Sequence, residues 1–416
     1  MRCYNMAAMN QFPKDFFWGA ATAAYQVEGA NSNSDWWEWE IRAGLIDRSA
    51  QACRHYELYN QDFDLAKQLH HNAHRLSIEW SRIEPVEGDF SAKELAHYRD
   101  VILSLKERGI EPIVTLHHFT NPIWFVRRGG WLNRSSPQYF LRYVEKVMEA
   151  LAGLVRFWVT INEPMVYVYH SFYLGDWPPQ KKSLLKTIAV TGSLVHAHIR
   201  AYRLIHDIYR RKKLAAPFVS IAHNVQAFVP CNTALRSRIS AYIRDRWFNF
   251  AFLKKLIRRR ALDFIGINYY TRSLVEPAGW GLRSMLVDTC GHSRLKKNSM
   301  GWDIFPEGLY ELLLRFKIYR LPVFILENGI CTDDDALRWE FIRGHLKCLY
   351  RAMEQGVNVL GYIYWSLLDN FEWDKGFSPR FGLIEVDYGN YSRKIRESAV
   401  QFSRVSASGI LEDEAD

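Results

Sequence analysis

The 416-residue chain has little of what marks several common protein classes. Its six cysteines, Cys3, Cys53, Cys231, Cys290, Cys331 and Cys348, are scattered, with no C-x-x-C pair. Neither a disulfide framework nor a zinc ribbon is expected, and reduced thiols in a cytoplasmic protein are the simplest reading. No run approaches the ~18 apolar residues of a membrane span, and Met1 to Asp15 holds no apolar signal core. There is no G-x-x-x-x-G-K-[ST] loop for a nucleotide phosphate and no G-x-S-x-G elbow for a serine hydrolase. The histidine pairs His70-His71 and His117-His118 point their side chains in different directions, with no H-E-x-x-H spacing beside them, so neither a metal nor another cofactor is expected. No Pro/Gly/Ser-rich linker divides the chain, and a single domain over residues 1–416 is expected, with 405–416 a frayed acidic tail.

What is present is aromatic and basic. Aromatic residues make up 15% of the chain and include 15 tryptophans, more than core packing needs, since each buried indole N–H wants a partner. A carbohydrate-facing cleft or a protein interface would use them. The net charge of +9 is partly gathered in Arg210-Arg211-Lys212-Lys213, Lys254-Lys255 and Arg258-Arg259-Arg260. These follow amphipathic stretches and read as solvated faces of surface helices, so no nucleic-acid partner is assigned.

Short apolar runs alternate with helical periodicity. The runs are 17–22, 73–80, 112–118, 157–163, 218–224, 264–270, 323–328 and 359–369. Helices are expected at 56–70, 95–108, 137–151, 194–211, 306–319 and 339–355. Eight near-continuous apolar strands interleaved with helices predict an α/β fold, a (β/α)8 barrel; the runner-up, a doubly wound sheet, would prefer a Gly-rich turn that is missing. Nearly every run ends in polar or aromatic residues, among them His117-His118, Asn162-Glu163, His223-Asn224, Asn268-Tyr269-Tyr270, Glu327-Asn328 and Trp365. A barrel delivers all these ends to one mouth, where active sites sit.

Glu163 and Glu327 each close an apolar strand. Two carboxylates facing each other across a mouth suit glycoside hydrolysis, one as acid/base and one as nucleophile. The alternative is that each merely caps the helix that follows. Arg75 and Tyr270 are candidates to hold an ionised nucleophile, and Asn162, Gln26, His118 and Glu372 could bond sugar hydroxyls. Trp365, Trp373 and Trp302 could present flat faces to a pyranose.

The ordered blocks FWGAATAAYQVEGA (17–30), HRLSIEWSRIEP (74–85), TLHHF (115–119), TINEP (160–164), GINYYT (266–271), MGWDIFPEGLY (300–310), LENG (326–329), YWSLLDNFEW (364–373) and RFGLIEVDY (380–388) carry a resemblance. From Phe16 to about Tyr388 the chain resembles glycoside hydrolase family 1, the β-glucosidase/β-glycosidase family. The resemblance implies a retaining exo-β-glycosidase acting on a small-molecule β-glycoside, with terminal β-D-glucosyl, β-galactosyl or β-fucosyl groups as substrates. By motif it implies that Glu163 is the acid/base and Glu327 the nucleophile. Arg75 and Tyr270 would contact the nucleophile, and Asn162 the sugar 2-hydroxyl. Gln26, His118, Glu372 and Trp373 would bind the other hydroxyls, with Trp365 as stacking platform and Asn268 behind the site. Members acting on 6-phosphoglycosides resemble one another in a Ser near Glu372, with a Lys and Tyr downstream where Arg380-Phe381 stand here, which implies an unphosphorylated substrate. The chain departs from the family at His117-His118-Phe119-Thr120 (commonly YHWD), at Leu326 (commonly Thr) and in a short Val225–Asp263 segment.

Overall fold

The computed structural model describes residues 10–279, 290–291 and 293–412. Eight parallel strands close into a barrel: β1 (Phe17–Ala21), β2 (Ala73–Ser77), β3 (Glu111–Thr115), β4 (Phe157–Asn162), β5 (Phe218–Pro230), β6 (Ile265–Val275), β7 (Val323–Asn328) and β8 (Val359–Trp365). Closure is made by β1 on β8, where Phe17 pairs with Gly361 and Ala21 with Trp365. The strands are apolar on both faces because one face meets the barrel interior and the other the surrounding helices. Those helices are α1 (His55–Gln68), α2 (Ala92–Glu107), α3 (Ser136–Leu151), α4 (Leu184–Arg211), α5 (Leu235–Asp245), α6 (Phe252–Arg258), α7 (Pro306–Phe316), α8 (Asp335–Glu354) and α9 (Glu397–Ser408).

The bottom of the barrel is plugged by phenylalanines from four strands and by Phe264, which directly precedes β6. Phe157 lies 5.3 Å from Phe17, 5.1 Å from Phe218 and 5.9 Å from Phe324, and Phe264 lies 6.0 Å from Phe324. Arg156 covers the plug, its guanidinium 4.8 Å from the Phe218 ring. Gly19 lets neighbouring backbones meet here, since a Cβ would come within 1.8 Å of the Ala73 carbonyl oxygen. Leu326, the departure from the family's Thr, packs in this interior with Phe324 and Ile363.

All eight expected strands are present, with differences of extent: β2 stops at Ser77 and β8 at Trp365, short of the expected 80 and 369. β3 stops at Thr115, so His117 and His118 lie beyond it. β5 and β6 run on past the rim as a paired extension, Ala227 opposite Arg272 and Pro230 opposite Val275, across a register shift between Val225 and Ala227. The helix expected from Leu194 begins at Leu184, capped by the Ser183 side chain. α9 was not foreseen, and the expected fraying of 405–416 does not hold over 405–411. Val405 is buried on α9, and Ile410–Leu411 pair with Asn10–Gln11, burying Leu411; the residues after Glu412 lie outside those described.

The expectation of reduced thiols is corrected for one pair. Cys231, at the end of the β5 extension, is bonded to Cys290, with Cα atoms 6.3 Å apart. The 59-residue separation carries no local signal; only the extension past the rim brings the two together. Cys53, Cys331 and Cys348 are free and buried, and Cys3 lies outside the described residues.

Candidate active site

Residues at the strand ends line a cavity of about 620 Å³ at the mouth. Strand alternation alone would not aim Glu327 into it. Along β7, Phe324 and Leu326 face the barrel interior while Ile325 faces the helices, so the next residue should turn outward. The register shifts between Ile325 and Asn328, and in β4 between Val159 and Asn162. Such irregularities re-aim side chains, and both carboxylates line the cavity. Glu163 also adopts a left-handed backbone, φ 41 and ψ 58. It stands at the N-terminus of the short helix Pro164–Val168, but its side chain makes no capping bond. The capping alternative therefore fails for Glu163.

The Glu163 Oε1 atom accepts from Asn268 Nδ2 at 2.8 Å and from Asn224 Nδ2 at 2.9 Å. Burial, then the charge of Glu327, pushes its carboxyl up to about 8, against the lowering effect of the two amides. Glu163 is therefore a protonated acid at neutral pH. With Oε1 occupied by two donors, Oε2 is the oxygen that carries the proton.

Glu327 is bonded on both oxygens. Arg75 Nη1 donates to Oε1 and the Tyr270 hydroxyl donates to Oε2 at 2.5 Å. Burial followed by the Glu327 and Glu163 charges raises Tyr270 well above the ordinary phenol range, so it remains a donor. Arg75 is held in turn by Thr115 Oγ1 at 3.1 Å and Asn162 Oδ1 at 2.7 Å. Asn162 Nδ2 lies 3.1 Å from His118 Nε2. Burial, then Arg75, holds His118 well below the usual imidazole range. A neutral ring accepting at Nε2 carries its proton on Nδ1, and Nδ1 has no partner among the protein's own groups. The Gln26 amide nitrogen donates to Asn370, Phe371 and Glu372, at 2.9, 2.9 and 3.1 Å, while its Oε1 is likewise unpartnered. Buried polar atoms without protein partners, on a cavity wall, are positioned for a hydroxyl-rich ligand.

Glu372 is half-buried at the cavity wall, and desolvation, then Glu327, pushes its carboxyl up to about 8. The adjoining Trp373 stacks on Tyr25 at 5.8 Å and packs against Trp36 at 4.6 Å, and Trp365 lies 6.1 Å from the His118 ring. Nine of the eleven expected site residues line the cavity: Gln26, His118, Asn162, Glu163, Tyr270, Glu327, Trp365, Glu372 and Trp373. Arg75 and Asn268 stand behind it, acting through the hydrogen bonds above. Asn224 was noticed only as a strand end, and its contact with Glu163 gave no sequence signal. Phe119, where the family commonly has Trp, lies 5.2 Å from both Trp177 and Trp373 and keeps this wall aromatic. The neighbouring Thr120 hydroxyl is bonded to Glu79 at 2.9 Å.

A closed parallel barrel presenting buried carboxyls, amides and stacked indoles at its mouth defines the class of sugar-cleaving barrel enzymes. The model of Glycosyl hydrolase family 1 matches residues 8–259 and 250–409. The structure superposes on a β-glycosidase from Pyrococcus horikoshii with a TM-score of 0.91 and 39% identity, covering 98% of this chain and 97% of that one. Beta-glucosidase A of Thermotoga maritima is 30% identical over 97% of this chain and all of its own length. A 6-phospho-beta-galactosidase of Clostridium acetobutylicum is 28% identical over 98% of this chain and 99% of its own. The chain belongs to Glycosyl hydrolase family 1 and is an O-glycosyl hydrolase. Among the described residues no helix is long and apolar enough to cross a membrane.

Proposed function

We propose that the protein is a retaining exo-β-glycosidase that releases a non-reducing terminal β-D-glucosyl group, with β-galactosyl and β-fucosyl groups as further candidates. The observation that carries this reading is the unequal treatment of the two carboxyls. Glu163 is pushed up to about 8, while Glu327 accepts from a guanidinium and a phenol. In the first step Glu163 Oε2 gives its proton to the glycosidic oxygen as Glu327 attacks C1, breaking the bond to the aglycone and forming a glycosyl ester. Esterification removes the Glu327 charge, one of the two influences that raise Glu163. Glu163 is thereby readied to take a proton from the water that cleaves the ester, restoring both groups. Asn162, held by Arg75, would bond the 2-hydroxyl; Gln26, His118, Glu372 and Trp373 would bind the remaining hydroxyls, and Trp365 would stack on the ring.

The substrate is taken to be unphosphorylated despite the similarity to a 6-phospho-beta-galactosidase. A protonated Glu372 would repel a phosphate less than an ionised one, so charge at Glu372 is not the stronger argument. Arg380, at the position where phosphate-binding members resemble one another in a Lys, is turned onto Asp369 at 3.4 Å and over the Tyr388 ring at 5.4 Å. It is thus occupied away from the cavity. A cytoplasmic location rests on the sequence alone, and the Cys231–Cys290 bond weighs against a reducing compartment.

The test is inactivation by a 2-deoxy-2-fluoro-β-glucoside followed by peptide mass spectrometry, with NMR of the first-formed product. The label is expected on Glu327 and the product with retained configuration. A label elsewhere, or inversion, sinks the assignment. Hydrolysis of a nitrophenyl 6-phosphoglucoside as fast as of the glucoside would overturn the reading of the phosphate side.

A further inference from the structure

Part of the basic surplus that catalysis leaves unused gathers in one groove on the helical wall of the barrel, none of whose lining residues lines the active-site cavity. α4 and α6 form the walls of a groove of about 520 Å³. Arg200 and Arg203 come from α4; Lys255, Arg258 and the adjoining Arg259 come from α6 and its end. None of these five cations makes an ion pair with a described residue. Nearby acids are engaged otherwise: Asp207 pairs with Arg210 and Arg211, and Asp263 with His206. Glu145 borders only the adjoining groove, beside Arg200 and Arg203. Five uncompensated cations on one face repel one another and cost stability unless an anion gathers there.

The same face of α4 is also apolar. At 3.6 residues per turn, Leu185, Ile188, Val195, Ile199 and Arg203 share one side of the helix over about 27 Å. Val195 and Ile199 floor the groove. Leu185 is 80% exposed and Ile188 61% exposed, although α4 buries Leu194, Ala201 and Ile205 on its other side. Lys181, Lys182 and Lys186 stand exposed at the same end. The helix thus buries one apolar stripe in the protein and carries a second, flanked by cations, that is half-buried at Val195 and Ile199 and in water at Leu185 and Ile188.

We infer that this face docks peripherally on an anionic lipid bilayer. Arg200, Arg203, Lys255, Arg258 and Arg259 meet lipid phosphates, and Leu185 and Ile188 enter the boundary between headgroups and acyl chains. A nucleic acid would use the cations but gain nothing from exposed leucine and isoleucine, and no Phe, Tyr or Trp lines the groove for bases to stack on, His196 being its one ring. An acidic protein partner would use the cations without needing acyl-depth insertion at the far end of the stripe.

Flotation of the full chain with phosphatidylcholine vesicles, with and without phosphatidylglycerol, tests this. Capture is expected only by the anionic vesicles and falls with salt. Arg203→Gln with Arg258→Gln should lower the affinity about thirtyfold. Leu185→Ser with Ile188→Ser should weaken vesicle capture yet leave retention on heparin, a polyanion without acyl chains, unchanged. Thermal midpoints equal to that of the parent protein show that each variant folds, and the single variants Arg203→Gln and Ile188→Ser replace any pair that does not. Equal capture by neutral and anionic vesicles, or capture by neither, overturns the inference. So does anionic capture indifferent to both pairs. Binding of an RNA oligonucleotide that needs the arginines, without vesicle capture, reassigns the face to nucleic acid and equally overturns it.

Discussion

The two ends of the barrel bury their side chains equally and use them in opposite ways. At the bottom, Phe157, Phe264 and Phe324 are almost fully enclosed, and their neighbours are other rings. At the mouth Glu163, Glu327, Arg75 and Asn268 are enclosed to a similar degree, and their neighbours are charges and amides. Burial of rings stabilises the fold by removing apolar surface from water. Burial of carboxyls costs stability and yields shifted protonation instead. One set of eight strands thus divides into an end that holds the fold and an end that works against it.

Separating these ends by mutation gives the sharpest contrast. Glu327→Gln should slow glycoside hydrolysis on the order of 10³-fold or more, ~4 kcal/mol of barrier, while the thermal midpoint stays level or rises. Steady-state kinetics beside calorimetry reads both; a fall in midpoint with a rate loss under about tenfold would erase the distinction. Phe324→Ala should do the reverse, costing about 3–5 kcal/mol of stability with activity per folded molecule kept, as seen in denaturant titration and active-site counting. A Phe324→Ala protein that stays stable but slow would show the plug to be coupled to the mouth.

Titration offers a gentler probe. Glu372 is raised from 4.5 to about 8, so between those values the folded protein keeps a proton that the unfolded chain has released, and stability falls as pH rises through that window. Glu372→Gln should therefore raise the midpoint at pH 8 by an amount worth on the order of 1–3 kcal/mol and change little at pH 4. The same gain at both pH values would mean that titration is not the cause. The smallest effect is expected from Asn224→Ala. Its amide lowers Glu163, so losing it should move the alkaline limb of kcat/KM to higher pH, above about 8. A limb that does not move would leave Asn268 as the only amide that matters.

The strands were legible because each is a continuous apolar run bounded by polar residues, and the site residues because they sit where those runs end. The tryptophans were legible only in part. Trp302, Trp365 and Trp373 line the cavity as expected, joined by Trp177. Trp36, Trp39 and Trp131 are core, whereas Trp37, Trp124 and Trp339 are partly buried against it. Trp280 lies outside the described residues. Indoles in a wall and in a core share the same local sequence character, so composition could raise the suspicion of a cleft without sorting them. The start of α4 was missed because Leu185 and Ile188 lie on the water side, a pattern that reads as no helix when only one buried stripe is sought.

By itself, then, the sequence determined the alternation of eight strands with helices and the chemical types delivered to their ends, since both are properties of neighbours along the chain. Tertiary structure alone decided how those types act. The register shift in β7 turned Glu327 into the cavity that Glu163 also lines. Closure of the barrel set Arg75 from β2 beside Glu327 from β7, and Asn224 and Asn268 on one oxygen of Glu163. The rim extension made a disulfide of Cys231 and Cys290. The reason is physical: protonation and bonding depend on distance, burial and direction through space, and these exist only once strands remote in sequence share one mouth.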